Sequence, residues 1–121
     1  MRDFLAITKA LSDPNRVRVL LALRAGELCL CQLIVLLKLA PSTVSKHVDL
    51  LRQAGLIGMR KEGQWHYYRL AGKQSPPLVR EALRWVLRSL ATEKTALSDA
   101  AKLCCVRDTD PQELAACYSR R

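Results

Sequence analysis

Cys29, Leu30 and Cys31 place two thiols two residues apart, Cys104 and Cys105 place two more side by side, and Cys117 lies near the C-terminus. Thiolates are soft ligands and good nucleophiles, so such pairs could hold a soft metal or metalloid or exchange with disulfides; cysteine also packs as a small hydrophobe. The count of five is odd, and Met1 is followed by no basic-then-apolar leader with a small-residue cleavage site. A disulfide framework is therefore not expected, and the sequence points to free thiols or thiolate ligands in a soluble, cytoplasmic protein. No uninterrupted apolar run of about 18 residues offers a membrane span. A thiol reductase would have to use Cys29 as a nucleophile activated at a helix N-terminus. The chain has no Cys-x-x-Cys, no phosphate-type loop and no convergent acid–base pair, so an enzyme is not expected.

A second set of residues could meet a polyanion. Ser42, Thr43, Ser45, Lys46 and His47 crowd into Pro41-Ser42-Thr43-Val44-Ser45-Lys46-His47, with Arg52 following and Arg60, Lys61 and Gln64 beyond it. Short hydroxyls can approach phosphates or base edges, Lys46 adds charge, and an imidazole donates or accepts from either ring nitrogen. None is diagnostic singly, because Ser and Thr at a helix start are commonly caps. The chain carries 20 Lys and Arg against 11 Asp and Glu, a net charge of +9. Seven basic residues against two acidic ones lie between Lys38 and Lys73. That concentration suits phosphate contacts, although by itself it could be a solvated surface or a patch for anionic lipid.

Both sets must be positioned by one small domain, since 121 residues suffice for a single core. Half of them are hydrophobic and only five are Gly and five Pro, the composition of a packed, helix-rich chain. Phe4, Leu5, Thr8 and Leu11 predict a helix over 2–11. Asp13-Pro14 supplies an N-cap and a proline at the first helical position for a second helix, which Ala25-Gly26 ends. Leu33, Leu36 and Leu37 predict a third over about 29–38. Pro41 opens a fourth that runs to Ala54 and stops at Gly55, with Val44, Val48 and Leu51 facing inward and Thr43, Lys46 and Arg52 on other faces. Leu56–Arg60 and Gln64–Leu70 flank Lys61-Glu62-Gly63 as a hairpin with a basic tip. Trp65, Tyr67 and Tyr68 raise strand propensity in the second arm, and Trp65 and Tyr68 are expected to pack on the fourth helix rather than to stack on bases.

From Pro77 to about Lys102 a long helix is predicted on Val79, Leu83, Val86, Leu90 and Leu97. Its apolar stripe could fold onto its own domain, but short helices and a hairpin offer little area, so a second copy is the expected partner. Asp110-Pro111 with Glu113 predicts a last short helix containing Cys117.

Two short helices joined by a tight turn and followed by a hairpin are the order of a winged helix-turn-helix, whose second helix enters the major groove. At LSDPNRVRVLLAL (Leu11–Leu23), GELCLCQL (Gly26–Leu33), APSTVSKHVDLLRQAGLI (Ala40–Ile57) and RKEGQWHYYRL (Arg60–Leu70) the chain resembles the ArsR/SmtB family of bacterial metalloregulators. The resemblance implies a mainly α fold with a small β-hairpin, dimerising through terminal helices. Residues 1–103 would form the DNA-binding and dimerisation domain, and 104–121 a cysteine-containing tail. It further implies a repressor, each winged domain binding half of an inverted repeat, with Ser42, Thr43, Ser45, Lys46, His47, Arg52, Arg60, Lys61 and Gln64 as candidate DNA contacts. The repressed operon would encode resistance functions such as an efflux pump or a reductase.

Cys29-Leu30-Cys31 matches the arsenic-sensing branch of that family, where such a pair opens the helix before the turn. As(III), Sb(III), Bi(III) or Cd(II) would be the sensed ion, because soft ions favour sulfur over oxygen or imidazole. The third cysteine sometimes found three residues on is here Ile34, so a trigonal ion would draw its third ligand from elsewhere. Cys104, Cys105 and Cys117 resemble another arrangement in the family, and a mixed set is also open. The zinc-sensing branch is absent by composition, since the only histidines are His47 and His66. On an ideal helix positions two apart point about 200° away from each other, so ligation by both Cys29 and Cys31 is expected to need local unwinding. An oxidation-responsive repressor, with Cys104 or Cys105 forming a disulfide with another thiol, is the alternative.

Overall fold

The structure, a computed structural model, describes residues 1–108. Cys117 and the short helix expected after Asp110 lie outside the described residues. The element order is α1 (Arg2–Ala10), α2 (Pro14–Leu23), β1 (Leu28–Cys29), α3 (Leu30–Leu37), α4 (Pro41–Gln53), β2 (Ile57–Glu62), β3 (Trp65–Leu70), α5 (Pro77–Ser89) and α6 (Lys94–Asp108).

Local chemistry accounts for most of these boundaries. Asp13 is the N-cap of α2, its Oδ1 accepting from the N–H of Asn15 at 2.8 Å and of Arg16 at 3.3 Å. Although burial works against it, those two backbone donors hold the Asp13 carboxyl below its usual range. At the other end of a helix, α3 stops at Lys38, which adopts a left-handed conformation with φ 56° and ψ 39°. Only Leu39 and Ala40 then separate it from α4.

The hairpin is tighter than the sequence suggests. Glu62 pairs directly with Trp65, so the turn is Gly63-Gln64 rather than Lys61-Glu62-Gly63. Gly63 takes φ 60°, a positive value that a two-residue hairpin turn demands at its first position. A third strand, not foreseen, joins the sheet in the order β1-β3-β2, all antiparallel, with Leu28 opposite Tyr68 and Cys29 opposite Tyr67.

Pro77 does start a helix, but it is not continuous to Lys102. It ends at Ser89, and after Leu90-Ala91-Thr92-Glu93 the chain turns into α6, which lies against α2 and α3. The break exchanges one long exposed rod for a second buried stripe: Ala96, Asp99, Leu103 and Val106 all face inward. Val79, Leu83 and Val86 are likewise buried against their own domain, at 6% exposure each, which corrects the expectation that they await a partner. Each such aliphatic contributes about 1.5–3 kcal/mol by leaving water.

The main core joins Ile7, Leu20, Leu23, Leu28, Leu33, Leu36, Val44, Val48, Leu51, Leu56 and Tyr68. A second, smaller cluster on the other side of the sheet contains Cys29, Cys31 and Val106, with Val35, Trp65 and Tyr67 packed on it. Among the described residues no helix is long and apolar enough to cross a membrane.

Candidate nucleic-acid interface and thiol site

Helix α4 is positioned by Val44, Val48 and Leu51, all fully buried against α1, α2, α3 and β2. With that stripe fixed, the start of the helix faces outward: Ser42, Thr43 and Lys46 are exposed, and Ser45 is half-buried. Pro41 at the first helical position removes one of the N–H groups that would otherwise lack a partner. His47 is half-buried and faces α2, where Arg16 Nη1 lies 3.3 Å from its Nδ1. A guanidinium can only donate, so Nδ1 accepts and the ring proton sits on Nε2. Arg16 is itself fixed by donating to the carbonyls of Ala10 and Lys9 at the end of α1.

Arg52 lies one turn beyond, 3.6 Å from Asp49 on the same exposed face. At the hairpin, Lys61 and Gln64 are exposed at the tip. Arg60 is different: it forms ion pairs with Glu27 at 2.7 Å and Glu62 at 2.7 Å. Glu27 above all, then Glu62, holds its guanidinium more firmly protonated than a free arginine. The same hydrogen bond to Arg60, opposed by a small burial effect, draws the Glu27 carboxyl below the usual 4.5.

The thiol site corrects the sequence reading in two respects. Cys29 is not in the helix but is its N-cap, with extended backbone at φ −79° and ψ 156°. Its side chain therefore turns back over the first turn, where its sulfur accepts from the N–H of Cys31 at 3.2 Å, while Gln32 Oε1 accepts from the N–H of Cys29 at 2.8 Å. The 200° separation applies only when both residues are helical. Because the first is not, the two sulfurs converge without any unwinding, and in the structure they are joined as a disulfide rather than free.

The pair is sealed, Cys29 at 1% and Cys31 at 2% exposure, beneath Val106, Val35, Trp65 and Tyr67. The end of α6 is fastened above it by Arg107, whose Nη2 donates to the Gly26 carbonyl at 3.0 Å and Nη1 to that of Glu27 at 3.3 Å. Cys104 and Cys105 are exposed on α6. Among the described residues no group of three or more His, Cys, Asp or Glu side chains is gathered as for a metal ion.

A winged helix with a thiol pair at the start of the helix before the turn invites comparison with known regulators. The family model for bacterial regulatory proteins of the arsR family matches residues 13–58, from the α2 cap to the first residues of β2. The chain is 38% identical over 84 residues to the arsenic resistance transcriptional regulator ArsR2 of Pseudomonas putida, covering 69% of this chain and 72% of that one. It belongs to the arsR family.

A second arsR-family relative, the arsenic resistance transcriptional regulator ArsR1 of the same bacterium, is 45% identical over 74 residues, a stretch that spans 58% of each chain. Among solved structures, the homodimeric winged helix-turn-helix DNA-binding domain Mb0332 of Mycobacterium bovis superposes with a TM-score of 0.61 at 27% identity, covering 76% of this chain and 83% of that one. These relatives are regulators, not enzymes. Within this arsR-family chain the structure brings Cys29 and Cys31 together and gathers Ser42, Thr43 and Lys46 on one exposed helix start. Cys104 and Cys105 are exposed, whereas Val106, Val35, Trp65 and Tyr67 cover the first pair. Trp65 and Tyr67 pack on the thiols and Arg107 holds the carbonyls of Gly26 and Glu27 just before them, roles not singled out from sequence. Only Gln32, three residues after Cys29 as in a capping box, carried a local signal that Cys29 caps the helix.

Proposed function

We propose that the chain is a homodimeric transcriptional repressor that holds operator DNA with α4 and the hairpin. On this reading it lets go when As(III), or a similar soft ion such as Sb(III), Bi(III) or Cd(II), is bound by the reduced thiolates of Cys29 and Cys31. The observation that carries this reading is the convergence of the two sulfurs at the N-cap of α3, one helix upstream of α4. Two converging thiolates fit a soft trivalent ion, and Ile34 leaves its third ligand to come from another residue or from solvent.

In this reading α4 lies in the major groove, with Ser42, Thr43, Ser45 and His47 near base edges and phosphates and Lys46 and Arg52 adding charge. Lys61 and Gln64 rest on the neighbouring backbone or reach the minor groove. The disulfide must first be reduced by a small thiol, two of which give up their protons to Cys29 and Cys31 and pair with each other. Separating the sulfurs far enough to share a third atom then shifts β1 against the start of α3. A coupling of about 1–3 kcal/mol would be enough to lower operator affinity measurably. Phe4 and Leu5 on α1 and Trp85 on α5 remain more than half exposed, and Phe4 and Trp85 line a groove of about 290 Å³. A second copy is the proposed occupant, supported by the homodimeric state of the Mycobacterium bovis domain.

The deciding experiment measures operator affinity with and without arsenite for Cys29→Ser, Cys31→Ser and the double Cys104→Ser, Cys105→Ser variant, all reduced beforehand. Loss of release in the first two alone supports the site. Full release in both of them sinks it, and loss in the last alone moves the sensor to α6. Because the sulfurs are bonded in the structure, an oxidation-responsive repressor is the second reading, with this pair in place of Cys104 or Cys105. The two thiols would pass two electrons and two protons to a peroxide, yielding the disulfide and two waters. Peroxide without metalloid would then release DNA from the wild type but not from Cys29→Ser.

A further inference from the structure

Arg60 carries two ion pairs in the hairpin, to Glu27 and Glu62, while its side chain stays 47% exposed. Its Nε donates to Glu27 Oε2 at 2.9 Å and Oε1 at 3.0 Å, Nη2 to Glu27 Oε1 at 2.7 Å, and Nη1 to Glu62 Oε2 at 2.7 Å. Its central carbon lies 4.4 Å from the centroid of the Tyr67 ring. The strand register explains the meeting. Cys29 is opposite Tyr67 across β1 and β3, and Arg60 is opposite Tyr67 across β2 and β3, so the three form one row across the sheet. Directly opposed residues project from the same face. The next row, Leu28, Tyr68 and Met59, belongs to the main core, which leaves the Cys29 row on the side of the thiol cluster.

Glu27 stands two residues before Cys29 and immediately before β1. The ladder between β1 and β3 is only two residue pairs long, and the Glu27–Arg60 pair adds a polar tie between the thiol segment and the hairpin beside the packing of Trp65 and Tyr67 on the cysteines. From the opposite side Arg107 grips the carbonyl of the same Glu27.

We infer that Arg60 and Glu27 are positioning residues that carry the state of the Cys29–Cys31 pair to the hairpin, and that this, rather than phosphate binding, is the role of Arg60. The inference rests on the inducer-released repressor proposed above. Any shift of β1 that parts the two sulfurs displaces Glu27, and Arg60 either follows, reorienting the hairpin arm, or loses its strongest partner. A cation flanked by two carboxylates and a ring face is poorly placed to bind a phosphate as well. Glu27→Gln is the sharp variant, because it keeps the cation, the ring contact and the shape of the partner while removing the charge and one of the two acceptor oxygens that hold Arg60.

The test compares wild type, Glu27→Gln and Arg60→Gln, each reduced, for operator affinity with and without saturating arsenite at several salt concentrations. Thiol titration alongside, with all three proteins in a background lacking Cys104, Cys105 and Cys117, reports arsenite uptake at Cys29 and Cys31. The wild type should lose about tenfold or more of its operator affinity on arsenite binding, and both variants should lose less than about threefold while still taking up arsenite. Glu27→Gln should hold operator DNA at least as well as wild type. The inference is overturned if Arg60→Gln flattens the salt dependence by about one ion while keeping the full arsenite response, the behaviour of a phosphate ligand. Full response in Glu27→Gln overturns it equally. A wild type indifferent to arsenite sinks the proposed function and this inference with it, whereas responsive variants of a responsive wild type sink the inference alone.

Discussion

Arg18 and Asp99 meet in a two-pronged ion pair, Nε to Oδ2 at 2.8 Å and Nη2 to Oδ1 at 3.0 Å, across the contact between α2 and α6. The Asp99 side chain is 5% exposed and that of Arg18 21%, so the carboxylate is sealed while the cation keeps some access to water. Asp99 is thus the fixed point from which α6 runs along α3 to the thiols. Removing it with Asp99→Ala should lower the unfolding free energy by about 2 kcal/mol. That is less than the roughly 3–5 kcal/mol of a wholly buried pair, because Arg18 can rehydrate. Urea denaturation would read this directly, and an unchanged midpoint would show that α6 is held by its apolar residues alone.

At the other end of α6, Arg107 donates to the carbonyls of Gly26 and Glu27, directly beside the sealed cysteines. A thiol reagent reaches Cys29 and Cys31 only when that end lifts. In a background lacking Cys104, Cys105 and Cys117, reduced protein carrying Arg107→Ala should react with a colorimetric thiol reagent faster by about tenfold, the effect of losing hydrogen bonds to a charged group. Equal rates would mean that the cover is not latched by this residue.

The exposed Phe4, Leu5 and Trp85 offer the proposed second copy a surface different from the Val79, Leu83, Val86 stripe expected from the sequence. Trp85→Glu should leave the fold intact, since the side chain is 60% exposed, yet shift sedimentation from dimer toward monomer at micromolar concentration. Substituting Leu97, also exposed but on α6, should have no such effect. A stable wild-type monomer would remove the two-half-site arrangement.

Lys46 is exposed one turn into α4. Lys46→Ala should weaken operator and random DNA to similar degrees and reduce the slope of log affinity against log salt by about one. His47→Ala should instead cost more on the operator than on random DNA, if its Nε2–H reads a base. Equal losses would assign His47 to the packing of Arg16.

The residues that set the helix-turn-helix were legible because they act locally. Asp13-Pro14, Pro41 and Gly55 are caps and stops whose chemistry does not depend on the rest of the fold, and the Val44, Val48, Leu51 stripe follows from helical period. Strand β1 was not legible: two residues are too few to show alternation, and Cys29 enters the sheet only because Tyr67 is there to pair with it. The break after Ser89 was hidden for another reason. No Gly or Pro marks it, and the inward face of α6 carries Asp99 among its apolar positions, so hydropathy understates that face until Arg18 supplies the partner. Within the thiol site Cys29 and Cys31 were expected, from the family resemblance, to be free thiolate ligands needing local unwinding, an expectation that assumed helix where the backbone is extended.

Lys38 holds a left-handed backbone without the freedom of glycine, at a cost of roughly 1 kcal/mol or more, just where α3 gives way to α4. A glycine there would make a slack joint that absorbs rotation. Lysine occupies a narrow well and resists it, and Leu39 next to it is packed against the core. The eight residues of α3 span about 12 Å, with the cysteines at one end and this stiff elbow at the other. On the proposed function, a small sideways push at Cys29 would reach Pro41 as a tilt of the whole following helix, the behaviour of a crank rather than of a hinge.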